Sequence, residues 1–284
     1  MKDQPNSIRD HYKADLPSDD LVLRVEQMLA QLEGQALTHD QLAGLDQFHS
    51  GGLKATADFV SMLDLTQGMS VLDAGSGLGG PSRFVAQTHR CHVTGVDLTD
   101  SFVSVAQLLA QRTNMADLVD YRVGDLCKLA FADEQFDAVY TQHVVMNISD
   151  RKSAYKEIYR VLKPGCQFGF FDVLRVDGEP EPFYPVPWAE KPENSFLLTQ
   201  AQTRSVLQES GFVFLKWIDV TDEIVQWIES VRLPSVQGTE IAPSLKIAMG
   251  ERFPEMAANF ARNLRQGRLN LVMAVCVKQH DQPS

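Results

Sequence analysis

A chain of 284 residues with 44% hydrophobic residues is long enough to bury a substantial core, and domains of roughly 100 to 250 residues are usual. Lys and Arg total 26 against 37 for Asp and Glu, and the resulting net charge of −11 repels phosphate backbones and anionic membrane surfaces, which disfavours a nucleic-acid or membrane partner. Cys91, Cys127, Cys166 and Cys276 are dispersed, with no CxxC pair and no His at metal-ligand spacing, so free core thiols in a reducing compartment and no metal site are expected.

The first run, MKDQPNSIRDHYKAD, is polar and lacks the apolar centre of a signal peptide. No later stretch reaches the ~18 consecutive apolar residues of a membrane span, so the expected location is cytoplasmic. Residues 20 to 33 place Leu21, Val25, Met28, Leu29 and Leu32 on one helical face. A second helix is predicted from Gly52 through LKATADFVSML, with Leu53, Ala57, Val60 and Leu63 sharing a face. From there the pattern alternates short apolar runs with longer amphipathic ones, the signature of a parallel sheet with crossover helices. The predicted strands are Ser70–Ala74, His92–Asp97, Val119–Val123, Phe136–Thr141 and Gln167–Val173. Helices are predicted at Pro81–Thr88, Ser101–Arg112 and Asp150–Leu162, the last capped by Ser149 and stopped by Lys163-Pro164-Gly165. Residues 177 to 192 hold five of the chain's 13 prolines together with Phe183, Tyr184 and Trp188, which reads as a lid. Thr199 and Gln202 form a capping-box pattern for a helix ending at Gly211. Two β-rich runs follow, Val213–Val220 and Leu269–Val277, and a closing antiparallel strand pair with a helical insertion accommodates them.

The strongest local signal is Val71-Leu72-Asp73-Ala74-Gly75-Ser76-Gly77-Leu78-Gly79-Gly80-Pro81 at a strand-to-helix junction. Its glycines let the backbone turn tightly and approach a ligand. Gly75, Gly77 and Gly80 satisfy GxGxxG, which by itself equally suggests a dinucleotide enzyme. Three acids discriminate. Asp73 precedes the first glycine by two residues, where a pyrophosphate gains nothing from a carboxylate but the amino group of a methionyl moiety does. Asp97 ends the next strand, suited to grip both hydroxyls of a ribose. Asp125, followed by Leu126, ends the third, offering an acceptor for an adenine amino group and an apolar edge for its ring. Acids at three successive strand ends, where open α/β sheets bind ligands, form the adenosylmethionine pattern.

The segments VLDAGSGLGGPSRFVA, VTGVDLT, VGDLCKLAFADEQFDAVYTQHVVMNI and YKEIYRVLKPG resemble the class I S-adenosylmethionine-dependent methyltransferases. The likeness is stronger to the group holding sarcosine/dimethylglycine N-methyltransferases and ubiquinone/menaquinone-type small-molecule enzymes. It covers residues 45 to 215 well and both ends weakly. The resemblance implies an α/β, Rossmann-like seven-stranded sheet whose final strand is antiparallel, with N-terminal helices and a helical cap insertion. It divides the chain into an N-terminal helical lid or cap over 1–66 and a cofactor-binding domain over 67–284, with insertions at 175–198 and 221–268. It implies S-adenosylmethionine as cofactor, contacted by Asp73, Gly75, Ser76, Gly77, Asp97, Leu98, Asp125, Leu126 and Gln142.

Methyl transfer from a sulfonium is an in-line displacement, so positioning, desolvation and removal of any acceptor proton are the work left to the protein. His143, beyond the fourth strand, is a candidate base because an imidazole takes a proton near neutral pH. His49, within Asp46-Gln47-Phe48-His49-Ser50-Gly51-Gly52, and Tyr12, which resembles a lid tyrosine, are the other catalytic candidates. Gln47, His49, His143, Trp188 and Arg175 are the substrate candidates. Trp188 joins Phe183 and Tyr184 as a possible alkylammonium cage, and Arg175, with Arg232 in reserve, is the cation for a carboxylate. The expected activity is N-methylation of a small amine or amino acid, the expected partners a small-molecule substrate and a homodimer mate. The alternatives are C- or O-methylation of an apolar ring, for which segment 240–273 could line a pocket, and a non-catalytic adenosylmethionine-binding regulator.

Overall fold

The computed structural model describes residues 18–32, 37–231 and 244–280. Among the described residues, three helices precede the sheet: α1 (Ser18–Gln31), α2 (His39–Asp46) and α3 (Gly52–Val60). Then β1 (Ser70–Ala74), α4 (Gly80–His89), β2 (His92–Asp97), α5 (Asp100–Arg112), β3 (Val119–Val123) and β4 (Phe136–Gln142) follow in alternation. A 3₁₀ turn at Val145–Asn147 leads to α6 (Arg151–Val161), β5 (Leu162–Arg175), α7 (Gln200–Glu209) and β6 (Phe212–Asp219). Finally α8 (Thr221–Val231), α9 (Lys246–Met249) and α10 (Phe253–Arg265) lead into β7 (Leu269–Lys278).

The seven strands lie in the order β3-β2-β1-β4-β5-β7-β6. Strands β1 to β5 pair in parallel, and β7 runs antiparallel to both β5 and β6. This is the expected α/β architecture, with the last strand reversed and, among the described residues, three helices inserted before it. Strand order changes direction between β1 and β4, the switch point at which such sheets form a crevice.

Burial explains the layers. One sheet face packs Val71, Tyr140, Phe171 and Met273 against Phe59 and Val85, and the other packs Leu72, Val139, Phe170 and Val272 against Tyr155 and Ile158. The stripe Leu21, Val25, Met28 and Leu29 of α1 packs on Phe102 and Leu109 of α5, so the predicted N-terminal face is the buried one. The Thr199 hydroxyl accepts from Gln202 N while the Gln202 side chain accepts from Thr199 N, completing the predicted capping box.

Three local details differ from the sequence reading. Helix α2 was not foreseen, although Thr38 and Gln41 cap it with the same reciprocal bonds. Asp150, not Ser149, caps α6, because its carboxylate accepts from Ser153 N at 3.1 Å. The chain also stays extended straight after α6, since Leu162 pairs with Phe136 and lengthens β5. Among the described residues no helix is long and apolar enough to cross a membrane, and no His, Cys, Asp and Glu group could hold a metal.

Candidate functional site

A cavity of about 480 Å³ opens at the carboxyl ends of β1 to β4. Its floor is the turn between β1 and α4. Gly75 has φ of 96° and a Cβ there would lie 2.3 Å from Val144 Cγ2, so only glycine fits both the turn and the close approach. The Gly75 and Ser76 amides donate to Val96 O at 2.7 and 3.0 Å, tying the turn to β2. Behind it, Arg83 donates to the Asp46 carboxylate at 2.6 Å and to Leu78 O at 3.0 Å. Both partners of that ion pair are buried. Burial pushes the Asp46 carboxyl up to about 6 against the opposing pull of Arg83. The end of α2, and with it Gln47 to Ser50, is thereby locked to the glycine turn.

Asp97 and Asp125 both line the cavity, as do Gly75, Gly77, Leu98 and Leu126. The Asp97 oxygens accept from Gly77 N and Thr99 N, each at 2.9 Å, so the carboxylate is rigid yet keeps lone pairs for a ligand. Burial holds this carboxyl above its usual range. Asp125 accepts from Cys127 N at 2.8 Å, which fixes its carboxylate on the cavity.

Asp73 and Ser76 are placed differently from the sequence reading. Asp73 is buried, accepts from the Ser82 hydroxyl at 2.6 Å and does not line the cavity. Desolvation pushes it up to about 7, so it braces β1 against α4 from below the turn. Ser76 is likewise buried and packs under the turn, where a Cβ on Gly95 would meet its Oγ at 2.8 Å.

Beyond β4 the cavity acquires a polar end. Gln142 is buried, lines the cavity, and neither amide atom has a hydrogen-bond partner among the described residues. His143 follows with φ of 53°, a left-handed backbone that costs a non-glycine residue about 1–2 kcal/mol. Its backbone N–H donates to Phe171 O at 2.7 Å, and its Nε2 is buried without a partner among the described residues. His49 approaches it with ring centroids 6.0 Å apart, and both rings pack on Phe171. His49 Nε2 lies 2.9 Å from Gln47 Oε1 and 2.8 Å from Thr56 Oγ1, and its Nδ1 lies 3.1 Å from Ser50 O. Desolvation lowers His49 to about 4, and desolvation with the neighbouring His49 lowers His143 well below the imidazole range. Two neutral imidazoles therefore stand side by side, one with both nitrogens engaged and one with a nitrogen unsatisfied.

The far wall is apolar. Trp188, Trp227, Leu245, Met249, Phe253 and Phe260 line it, from the lid loop, α8, the α9 region and α10. Of the proposed cage only Trp188 is there. Phe183 lies instead beneath Arg262 and Arg268, with guanidinium carbons 3.6 and 3.9 Å from its ring centre. Tyr184 is half-buried and away from the lining. Arg175 does not reach the cavity either: it pairs with Glu181 at 3.6 Å on the surface. Tyr12 and Arg232 lie outside the described residues.

A methyltransferase-domain family model matches residues 72–170, spanning the glycine turn and most of β5. Phosphoethanolamine N-methyltransferase of Triticum aestivum is 28% identical over 194 residues, 68% of this chain and 37% of that protein. The chain thus spans well under half the length of that curated relative. Phosphoethanolamine N-methyltransferase 2 of Haemonchus contortus superposes with a TM-score of 0.73 at 19% identity, covering 96% of this chain and 60% of that one. Geranyl diphosphate C-methyltransferase of Streptomyces coelicolor A3(2) superposes with a TM-score of 0.71 at 15% identity, covering 98% of this chain and 99% of that one. With its sheet order and glycine turn, the chain carries over residues 72–170 the methyltransferase domain that this family model describes.

Proposed function

We propose that this chain transfers a methyl group from S-adenosylmethionine to a small-molecule acceptor, with the nitrogen of a small amine or amino acid as the leading acceptor atom. The observation that carries the reading is the unsatisfied polar trio, both Gln142 amide atoms and His143 Nε2, buried on the cavity between the glycine turn and the apolar wall. Burying polar atoms without partners is costly unless a ligand completes them. A sensor of the cofactor alone has no use for a second polar end, which weighs against the non-catalytic regulator. The N-methyltransferase relatives support nitrogen as the acceptor atom.

The residues present fit the cofactor. Asp97 would take the ribose hydroxyls, Asp125 and Leu126 the adenine, and the backbone at Gly75 and Gly77 the methionyl end. When bound, the cofactor supplies an electrophilic methyl on a sulfonium. Gln142 and His143 then hold the acceptor so that its lone pair faces that carbon, and the wall excludes water. Because His143 is held far below the usual imidazole range, it accepts a hydrogen bond from the acceptor's N–H or O–H and orients it. It does not store the proton. His49, Gln47 and Thr56 hold their own hydrogen bonds and buttress His143 from behind. A second reading, methylation of carbon or oxygen on an apolar ring, is favoured by the lining of Met249, Phe253 and Phe260.

The test is labelled adenosylmethionine with a panel of small amines, amino acids, phenols and quinols, the product identified by mass. His143→Ala should lower kcat by about 10²-fold or more with adenosylhomocysteine affinity unchanged. The kcat/KM profile should show no acid limb near about 6.5, the ordinary imidazole value. Cofactor binding without turnover of any acceptor would overturn the catalytic reading, and an acid limb at that value would overturn the role given to His143.

A further inference from the structure

Resting on the proposed methyl transfer, the geometry narrows the acceptor from a small amine or amino acid to one that carries no carboxylate. We propose that it is a molecule with an uncharged apolar body, ring-bearing or branched, and one hydrogen-bonding heteroatom, and that Ala257 sets the size of body admitted.

Charge is the first argument. Among the described residues no lysine or arginine lines the cavity, and its carboxylates are Asp97 and Asp125. A phosphate or carboxylate on the acceptor would be stripped of water with no cation among the described lining residues, an arrangement that is strongly unfavourable. Arg175, the first of the two cations the sequence offered, is held in a surface ion pair with Glu181, and Arg232 lies outside the described residues.

The construction of the wall is the second. Helix α10 presents Phe253, Ala257 and Phe260 to the cavity at four- and three-residue spacing, so they form one stripe. Its polar side chains do other work: Asn259 donates to Pro185 O at 3.0 Å, and Asn263 bonds both Phe183 N and Phe183 O at 2.8 and 3.0 Å. These bonds pin the lid loop so that Trp188 meets Phe260 edge-on at 5.7 Å. The Trp188 indole N–H donates to Ser195 Oγ at 2.9 Å, which leaves only hydrocarbon for the cavity. A wall fixed this firmly, with the Trp188 N–H engaged elsewhere, suits an apolar ring by shape and π contact. Ala257 is the small residue between two phenylalanines, so it forms the recess.

The test is calorimetric and needs no turnover. N-methylaniline and 4-(methylamino)benzoate, which differ by one carboxylate, are titrated into protein saturated with adenosylhomocysteine. N-methylaniline should bind more tightly by about tenfold or more, the scale of leaving a buried charge unpaired. Ala257→Phe should weaken it by about tenfold, the recess being filled, while adenosylhomocysteine binds as before and so reports an intact fold. Phe253→Ala, which widens the wall, should shift preference toward a bulkier aniline. Equal or tighter binding of the benzoate, no binding of N-methylaniline, or indifference to Ala257→Phe overturns the proposal. Failure of adenosylhomocysteine itself to bind removes instead the methyl-transfer reading beneath it.

Discussion

At the scale of single residues, two aspartates of the same motif region have opposite employments. Asp97 faces the cavity with both oxygens already steadied by backbone amides, whereas Asp73 turns away to Ser82. A rigid charged acceptor with spare lone pairs is suited to a pair of ribose hydroxyls. Asp97→Ala should therefore cost about 1–3 kcal/mol of adenosylhomocysteine affinity, the range for charged hydrogen bonds. Titration calorimetry of the purified variant measures it directly. Affinity equal to that of the parent would remove Asp97 from the cofactor site. His143 adds a different residue-scale feature, a non-glycine in the left-handed region on the cavity wall. Such strain collects where surrounding structure over-determines a functional position; here the Phe171 carbonyl supplies that restraint.

At the scale of elements, Asp73 acts as a strut between β1 and α4, and its titration carries a stability signature. Its folded value of about 7 lies above the ordinary 3.8, so the folded state keeps a proton that the unfolded state releases. That contribution is present below the unfolded value and is lost as pH rises toward 7. Asp73→Asn cannot titrate and still accepts from Ser82. Relative to the parent, its stability should rise between about pH 4 and 7, by up to about 4 kcal/mol. The difference between variant and parent cancels the background from Asp172, also raised to about 7, and from His49, lowered to about 4, which slopes the other way. Thermal melts at pH 5 and 8 that move in parallel would contradict the strut. How much of this was legible follows from which signals are local. Strands β1 to β4 and the Thr199 box announce themselves within a few residues, and Asp97 and Asp125 are found because strand ends are. Helix α2 carried the same threonine-glutamine box as α7 but has too few apolar positions, Leu42 and Leu45, to show a helical repeat. The facing of Asp73 depends on Ser82, a partner across an element boundary. The apolar wall joins positions 188, 227, 253 and 260, and no spacing in a sequence reports that they meet.

At the scale of the whole molecule, the cavity is walled by residues of 43–52, 227–228 and 244–260, from before β1 and after β6, and a few polar contacts hold those walls. Arg24 of α1 donates to Ile247 O at 3.1 Å, joining the first helix to the α9 region. The Asp46–Arg83 pair joins α2 to the sheet domain, and its burial makes it the most exacting of these contacts. Removing one partner of a buried pair strands the other charge, at a cost of about 3–5 kcal/mol, whereas replacing both with apolar groups of similar size is often neutral. Asp46→Ala should therefore lower the melting temperature by roughly 2–4 °C for each kcal/mol lost. Because Asp46 anchors the segment that sets Gln47 and His49 on the cavity, cofactor affinity should fall as well. The double variant Asp46→Leu with Arg83→Met should recover most of the stability. If it also recovers adenosylhomocysteine binding, the pair serves as an anchor and its charge is dispensable. If stability returns and binding does not, Arg83 acts on the ligand through the glycine turn, where it holds the Leu78 carbonyl. A single variant as stable as the parent would refute the anchor altogether, since no other described contact ties Arg83 to α2.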